Sequence, residues 1–161
     1  NKDNVYGLER ATKHNIKTFI EKEDEKIIDL LNKENIDLVV LAGYLKIISP
    51  KFVEAFRNKI INIHPSLIPA FCGEGYYGKK VHESVISYGV KLSGATVHFV
   101  DEGADTGPII MQKSVEVKVD DTPQSLSERV LAVEHEILKE SVRLYCDNKL
   151  TVYGRGVIVN D

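Results

Sequence analysis

The sequence predicts an α/β fold built on an open three-layer sheet with mostly parallel strands. Three observations lead there. Apolar runs rich in β-branched residues, Asp37–Gly43 and Ile60–His64, alternate with helix-spaced segments through the first half of the chain. The run Leu38-Val39-Val40-Leu41-Ala42 is continuous, as in a strand covered on both faces, where an alternating run would mark a strand with one wet face. A long segment from Pro123 to Cys146 repeats its apolar residues at the helical period.

Each element follows in order. Tyr6–His14 reads as a helix and Lys17–Ile20 as a short extended piece. A second helix covers Asp24–Asn32, with Ile27, Ile28, Leu30 and Leu31 on its buried side. The strand Asp37–Gly43 is followed by a short helix, Pro50–Phe56, and by the strand Ile60–His64. This alternation implies right-handed crossovers. Lys91–Asp101 and Pro108–Val119 read as two long strands joined through Glu102-Gly103-Ala104-Asp105-Thr106-Gly107. The helix after Pro123 opens on Asp121-Thr122-Pro123, a cap followed by proline in the first turn. Thr151–Val159 closes the chain as a hairpin turning near Gly154-Arg155-Gly156. With no linker, repeat or low-complexity stretch, residues 1–161 are expected to form a single domain. It opens on a helix, whereas a nucleotide-binding α/β fold opens on a strand running into a glycine-rich turn; a first strand is therefore expected upstream, and the domain is expected to be truncated at its amino terminus.

The 21 basic and 24 acidic side chains are spread evenly and leave a net charge of -3, which argues against nucleic acid as a partner. The apolar runs fall short of the ~20 residues that cross a bilayer, so a membrane partner is not expected either. Cys72 and Cys146 lie far apart without metal spacing and read as free thiols of a reducing, cytoplasmic compartment. The expected state is a monomer or homodimer acting on small molecules.

Candidate site residues come from polar groups in apolar contexts. In Ile61-Asn62-Ile63-His64-Pro65, residues two apart share a face, so Asn62 and His64 project together at the carboxyl end of a strand, where open α/β sheets bind ligands. They read either as a mutually satisfied core pair or as a site. Asp105, in an acidic glycine-flanked turn, reads as an Asx-type turn or as a carboxylate delivered to that site. Glu134 falls inside the apolar stripe of Leu126, Val130, Leu131, Val133, Ile137, Leu138, Leu144 and Tyr145, where a carboxylate needs a partner, structural or ligand. Gly73-Glu74-Gly75-Tyr76-Tyr77-Gly78 fits G-x-G-x-x-G but follows a loop instead of a strand, so a mobile loop is expected and no pyrophosphate cradle. His64, His82 and His98 with Asp105 match no short zinc spacing, and no metal is expected.

Asn62-Ile63-His64-Pro65-Ser66-Leu67-Ile68-Pro69 and Val97-His98-Phe99-Val100-Asp101-Glu102-Gly103-Ala104-Asp105-Thr106-Gly107-Pro108 together resemble the folate-dependent formyltransferase family. So do Gly7-Leu8-Glu9-Arg10-Ala11 and Val39–Pro50, so the resemblance covers nearly the whole chain. The similarity is greatest to the branch that formylates glycinamide ribonucleotide. It implies formyl transfer from 10-formyltetrahydrofolate, as cosubstrate, to the amine of glycinamide ribonucleotide in de novo purine biosynthesis. By that resemblance Asn62 and a protonated His64 stabilise the formyl oxygen, and Asp105 orients His64 and moves the amine's proton. Folate is expected at Leu45, Lys46, Ile47, Ile48, Val53, Val100, Asp101, Glu102 and Ala104. The nucleotide is expected at Gly43, Tyr44, Leu45, Pro65 and Glu134. Relative to the family, the first strand and the phosphate loop are missing, and the Phe71–His82 loop is longer and has cysteine where proline is common. A formyltetrahydrofolate hydrolase, with water in place of the amine, and a noncatalytic folate-binding fragment remain alternatives.

Overall fold

The computed structural model describes residues 5–161. They fall into two compact units, one running to Ile36 and the other spanning Asp37–Asp161. The first holds α1 (Tyr6–Lys13) and α2 (Asp24–Lys33). Both helices stop for the same reason. Asn15 and Asn35 follow the last helical turn with φ of 55° and 53°, the left-handed conformation that asparagine tolerates best after glycine. The amides of Ile16 and Ile36 then close onto the carbonyls of Ala11 and Leu31, satisfying the helix ends. Lys17–Ile20, expected as an extended piece, is exposed and joins no sheet among the described residues.

The second unit contains β1 (Val39–Leu41), α3 (Pro50–Ala55), β2 (Ile60–His64), α4 (Lys79–Tyr88), β3 (Leu92–Phe99), β4 (Ile109–Glu116), α5 (Pro123–Cys146), β5 (Leu150–Tyr153) and β6 (Gly156–Val159). The strands form one open sheet in the order β1-β2-β3-β4-β6-β5. The α/β class is as the sequence predicts, but the sheet is mixed: only β1–β2 and β4–β6 run parallel, whereas β2–β3, β3–β4 and β5–β6 are antiparallel. The nine-residue connection from Val100 to Pro108 accounts for part of this, since it is a hairpin link too short for a crossover helix. β1 is also shorter than expected, and Val40 is 40% exposed, because this strand is an edge of the described sheet and is not covered on both faces.

Alternation along β2 and β3 separates two functions. Ile61 pairs with Phe99 and Ile63 with Val97, and these apolar residues join Val81 and Val85 of α4 and Leu126, Val130 and Ile137 of α5 in one buried core. Burying such side chains contributes roughly 1.5–3 kcal/mol each. The intervening pairs, Asn62 with His98 and His64 with Thr96, point to the opposite face. A one-residue slip would put the polar set in the core, so the apolar pairing fixes where the polar groups emerge.

α5 starts as expected: Thr122 Oγ1 accepts from the amide of Ser125 while Ser125 Oγ accepts from the amide of Thr122. It ends on Asn148, again left-handed. α4 was not anticipated. Lys79–Tyr88 reads weakly because its charged first turn adjoins the glycine-rich stretch, yet Val81, His82 and Val85 form a buried stripe. The expected loop to His82 therefore ends at Gly78, which precedes α4 with φ of 51°.

Candidate active site

A cleft of about 750 Å³ opens in the second unit, walled by the end of β2, the segments 43–48 and 100–105, the glycine-rich stretch, the start of α4 and one side of α5. Its polar floor comes from β2 and β3. His64 is buried, with Nε2 2.9 Å from the Phe71 carbonyl oxygen and Nδ1 3.4 Å from Asp105 Oδ2. Both neighbours can only accept, so the imidazolium, with two N–H groups, is the form that can donate to both.

Asp105 is delivered by the β3–β4 link. Its φ of 58° places it in the left-handed region, where aspartate is tolerated, and its Oδ2 accepts the Gly73 amide at 2.9 Å. Burial pushes this carboxyl up, but the adjoining His98 ring, the Gly73 N–H and the charge of His64 outweigh burial and hold it below the usual carboxylate range. Next to it β4 bulges: His98 faces Ile109 and Val97 faces Met111, leaving Ile110 unpaired, a distortion that commonly aims side chains at sites.

The loop after His64 is stapled to β3. Thr96 Oγ1 donates to the Ser66 carbonyl at 2.7 Å and accepts from the Ile68 amide at 3.1 Å, while Gln112 Nε2 donates to the Ile68 carbonyl at 3.0 Å. Ser66 Oγ adds a bond to the Ala70 carbonyl, and the Ile68–Pro69 peptide is cis. This rigid path positions Phe71 and Gly73 against His64 and Asp105. Gly73–Gly78 thus serves the site as an anchor for Asp105; it does not follow a strand and forms no dinucleotide fingerprint.

Asn62, His64 and Asp105, separated widely in sequence, are brought together. Gly43, Tyr44, Leu45, Pro65 and Glu134 also line the cleft, as do Lys46, Ile47, Ile48, Val100, Asp101 and Ala104. Two residues expected at folate do not. Val53 is 1% exposed within α3, and Glu102 faces solvent, paired with Arg57 at 2.6 Å. Leu45 and Ile47 are each 69% exposed and provide an apolar wall of the kind that marks a ligand surface. Glu134, half-buried on α5 and lining the cleft, has its pKa pushed up to about 7 by burial.

His98 and His82 were missed as site residues. His98 sits opposite Asn62, which is visible only once the β2–β3 register is known. His82 is buried at the start of α4, its Nδ1 has no partner among the described residues, and burial and the charge of His64 lower its pKa. No cluster of three or more His, Cys, Asp or Glu suited to a metal occurs among the described residues.

Residues 1–142 match the formyl transferase family. The chain is 48% identical over 131 residues to the chloroplastic phosphoribosylglycinamide formyltransferase of Vigna unguiculata, covering 81% of this chain and 42% of that protein. It is 38% identical over 167 residues to the trifunctional purine biosynthetic protein adenosine-3 of Bos taurus, covering 98% of this chain and 16% of that protein. The chain thus spans less than half the length of these curated relatives. Among solved structures, glycinamide ribonucleotide transformylase 1 of Symbiobacterium toebii superposes with a TM-score of 0.92 at 38% identity, over 99% of this chain and 77% of that one. A formyltetrahydrofolate deformylase from Pseudomonas syringae superposes with a TM-score of 0.86 at 30% identity, over 96% of this chain and 53% of that one. By its sequence along most of its length and by its fold, the chain belongs to the formyl transferase family.

Proposed function

We propose that this chain transfers a formyl group from 10-formyltetrahydrofolate to the amine of glycinamide ribonucleotide, a step of de novo purine biosynthesis. The observation that carries the reading is the Asp105 carboxylate, held between His64 and the Gly73 amide beside Asn62, on the floor of a cleft sized for small-molecule ligands. The catalytic residues are Asn62, His64 and Asp105. Leu45, Lys46, Ile47, Ile48, Val100, Asp101 and Ala104 form the folate wall. Gly43, Tyr44, Pro65 and Glu134 meet the nucleotide, with Glu134 accepting from its ribose hydroxyls.

The chemistry asks for two things. As the amine nitrogen bonds to the formyl carbon, the carbonyl electron pair moves to oxygen, and His64 as imidazolium, buried at the floor of the cleft, meets the developing negative charge. The amine must also lose a proton, and the folate nitrogen must gain one as its bond to carbon breaks. Asp105, kept ionised by its neighbours, takes the first proton, and the His64–Asp105 pair passes one on to the leaving nitrogen. No metal is needed in this scheme.

The free thiols Cys72 and Cys146 suit a reducing compartment such as the cytoplasm. Among the described residues no helix is long and apolar enough to cross a membrane. The likeness to deformylases favours hydrolysis as the second reading. Incubation with 10-formyltetrahydrofolate alone and then with glycinamide ribonucleotide separates the two. Formylated nucleotide formed only after the second addition supports transfer; formate released at an equal rate before it overturns transfer in favour of hydrolysis.

A further inference from the structure

Between Val100 and Thr106 no residue is buried, so the link that carries Asp105 depends on polar contacts to keep its shape. Within the link, Asp101 Oδ1 accepts from the Gly103 amide at 3.1 Å and from Thr106 Oγ1 at 2.5 Å. On its outer side Arg57 pairs with Glu102. A third contact comes from the far end of the chain: Arg155 Nη2 donates to the Thr106 carbonyl at 3.0 Å. Topology brings it there. β5 and β6 are joined by Gly154 and Arg155 alone, and Gly154 has φ of 58°, a positive value of the kind that so tight a hairpin requires. Gly156 then pairs with Ile109, parallel to β4. In a parallel pair the residues before two partners run side by side, which sets Arg155 beside the end of the link. The hairpin lies outside residues 1–142, the stretch that matches the family.

We propose that Arg155 is a positioning residue for formyl transfer: from the tip of the β5–β6 hairpin it pins the Thr106 carbonyl and so holds the Asp105 carboxylate against the Gly73 amide and His64. This rests on the formyl-transfer reading and adds to it a residue 49 positions away from the carbonyl it holds. Asp105 has φ of 58°, a conformation that a residue other than glycine keeps only where its surroundings impose it. Those surroundings act on the next residue. Thr106 is held at its side chain by Asp101 and at its carbonyl by Arg155, so the backbone on the carboxyl side of Asp105 is fixed at two points. Arg155 is exposed and touches no part of the cleft floor; its effect on the reaction passes through the link. One bond from an exposed side chain to one carbonyl adds little to the stability of the whole chain. A reacting group displaced by about 1 Å, by contrast, costs up to about a hundredfold in rate. Removing Arg155 should therefore disturb Asp105 far more than it disturbs the fold.

The place of Asp105 can be read without turnover, at the amide that binds it. The Gly73 N–H donates to Asp105 Oδ2 at 2.9 Å, so its hydrogen exchange, followed by NMR, reports whether the carboxylate stays in position. In Arg155→Ala the Gly73 amide should exchange at least about fivefold faster than in wild type, with the amides of β2 unchanged and Tm within about 3 °C. In turnover assays with glycinamide ribonucleotide and 10-formyltetrahydrofolate, the same variant should lower kcat roughly 5- to 20-fold, with the KM for the nucleotide within about threefold. Arg155→Lys, which keeps a donor on a long side chain, should recover part of both changes. Unchanged Gly73 exchange in Arg155→Ala overturns the proposal, and so does a wild-type kcat or a loss confined to KM. Faster exchange spread evenly over β2 would show a general loosening of the sheet and overturn it as well. If wild type itself transfers no formyl group, the formyl-transfer reading fails, while the hold of Arg155 on Asp105 still stands or falls with the Gly73 exchange.

Discussion

Glu134 offers a prediction whose size follows from its surroundings. Its carboxyl is half-buried on the cleft side of α5, and burial raises its pKa from the ordinary 4.5 to about 7. A group raised in the folded state binds its proton more tightly there than in the unfolded chain. Its contribution is thus fully present below pH 4.5, falls as pH rises toward 7, and is constant above that. At 1.36 kcal/mol per pH unit the full penalty of ionisation would be roughly 3 kcal/mol, and solvent at the open side reduces this to about 1–2 kcal/mol. Glu134→Gln keeps the shape and removes the charge. Its stability relative to wild type should be near zero at pH 4.5 and should rise to about 1–2 kcal/mol in favour of the variant at pH 8.5. For a chain of this size that is a Tm gain of roughly 3–6 °C. Urea or thermal unfolding without ligand at the two pH values checks it. The same variant should bind glycinamide ribonucleotide more weakly, because the amide has only one acceptor oxygen for two ribose hydroxyls. A stability difference that does not change with pH, or a wild type more stable than the variant at pH 8.5, would refute the reasoning. It would show that Glu134 has a stabilising partner when ionised.

Asp105→Asn should lower kcat by about a hundredfold or more while changing folate affinity little, since it removes the acceptor of the amine's proton but leaves the apolar wall intact; single-turnover rates and folate titration measure the two separately. Gly107→Ala should cost at least about 2 kcal/mol and lower activity, because a Cβ there would overlap the Phe99 carbonyl and displace the link that carries Asp105; circular dichroism melts and turnover assays test it. Thr122→Ala should cost about 1 kcal/mol through loss of the α5 cap, with kcat unchanged, as read from urea midpoints.

Local chemistry in the sequence determined a good deal. α5 and the β5–β6 hairpin were legible because proline, the Thr122 cap and the 3.6-residue period act over a few residues. Asn62 and His64 were legible as a pair because the period of two is a property of any strand. Glu134 was marked by its place in an apolar stripe, and its raised pKa follows from that same burial. The family was readable from two motifs that together hold most of the floor of the cleft. Tertiary structure decided what depends on partners distant in the chain. Strand direction depends on how connections pack, so the sheet proved mixed. α4 lay hidden because three glycines and charged residues mask the start of a helix whose stripe shows only against α5. Val53 and Glu102 follow the family's motif order but not the cleft, since one is buried in α3 and the other is drawn outward by Arg57. The neighbour that Asn62 meets across the sheet, His98, lies 36 residues away. Periodicity tells which side of a strand a residue faces; only the register with the neighbouring strand supplies the hydrogen-bond partner that decides what it can do there.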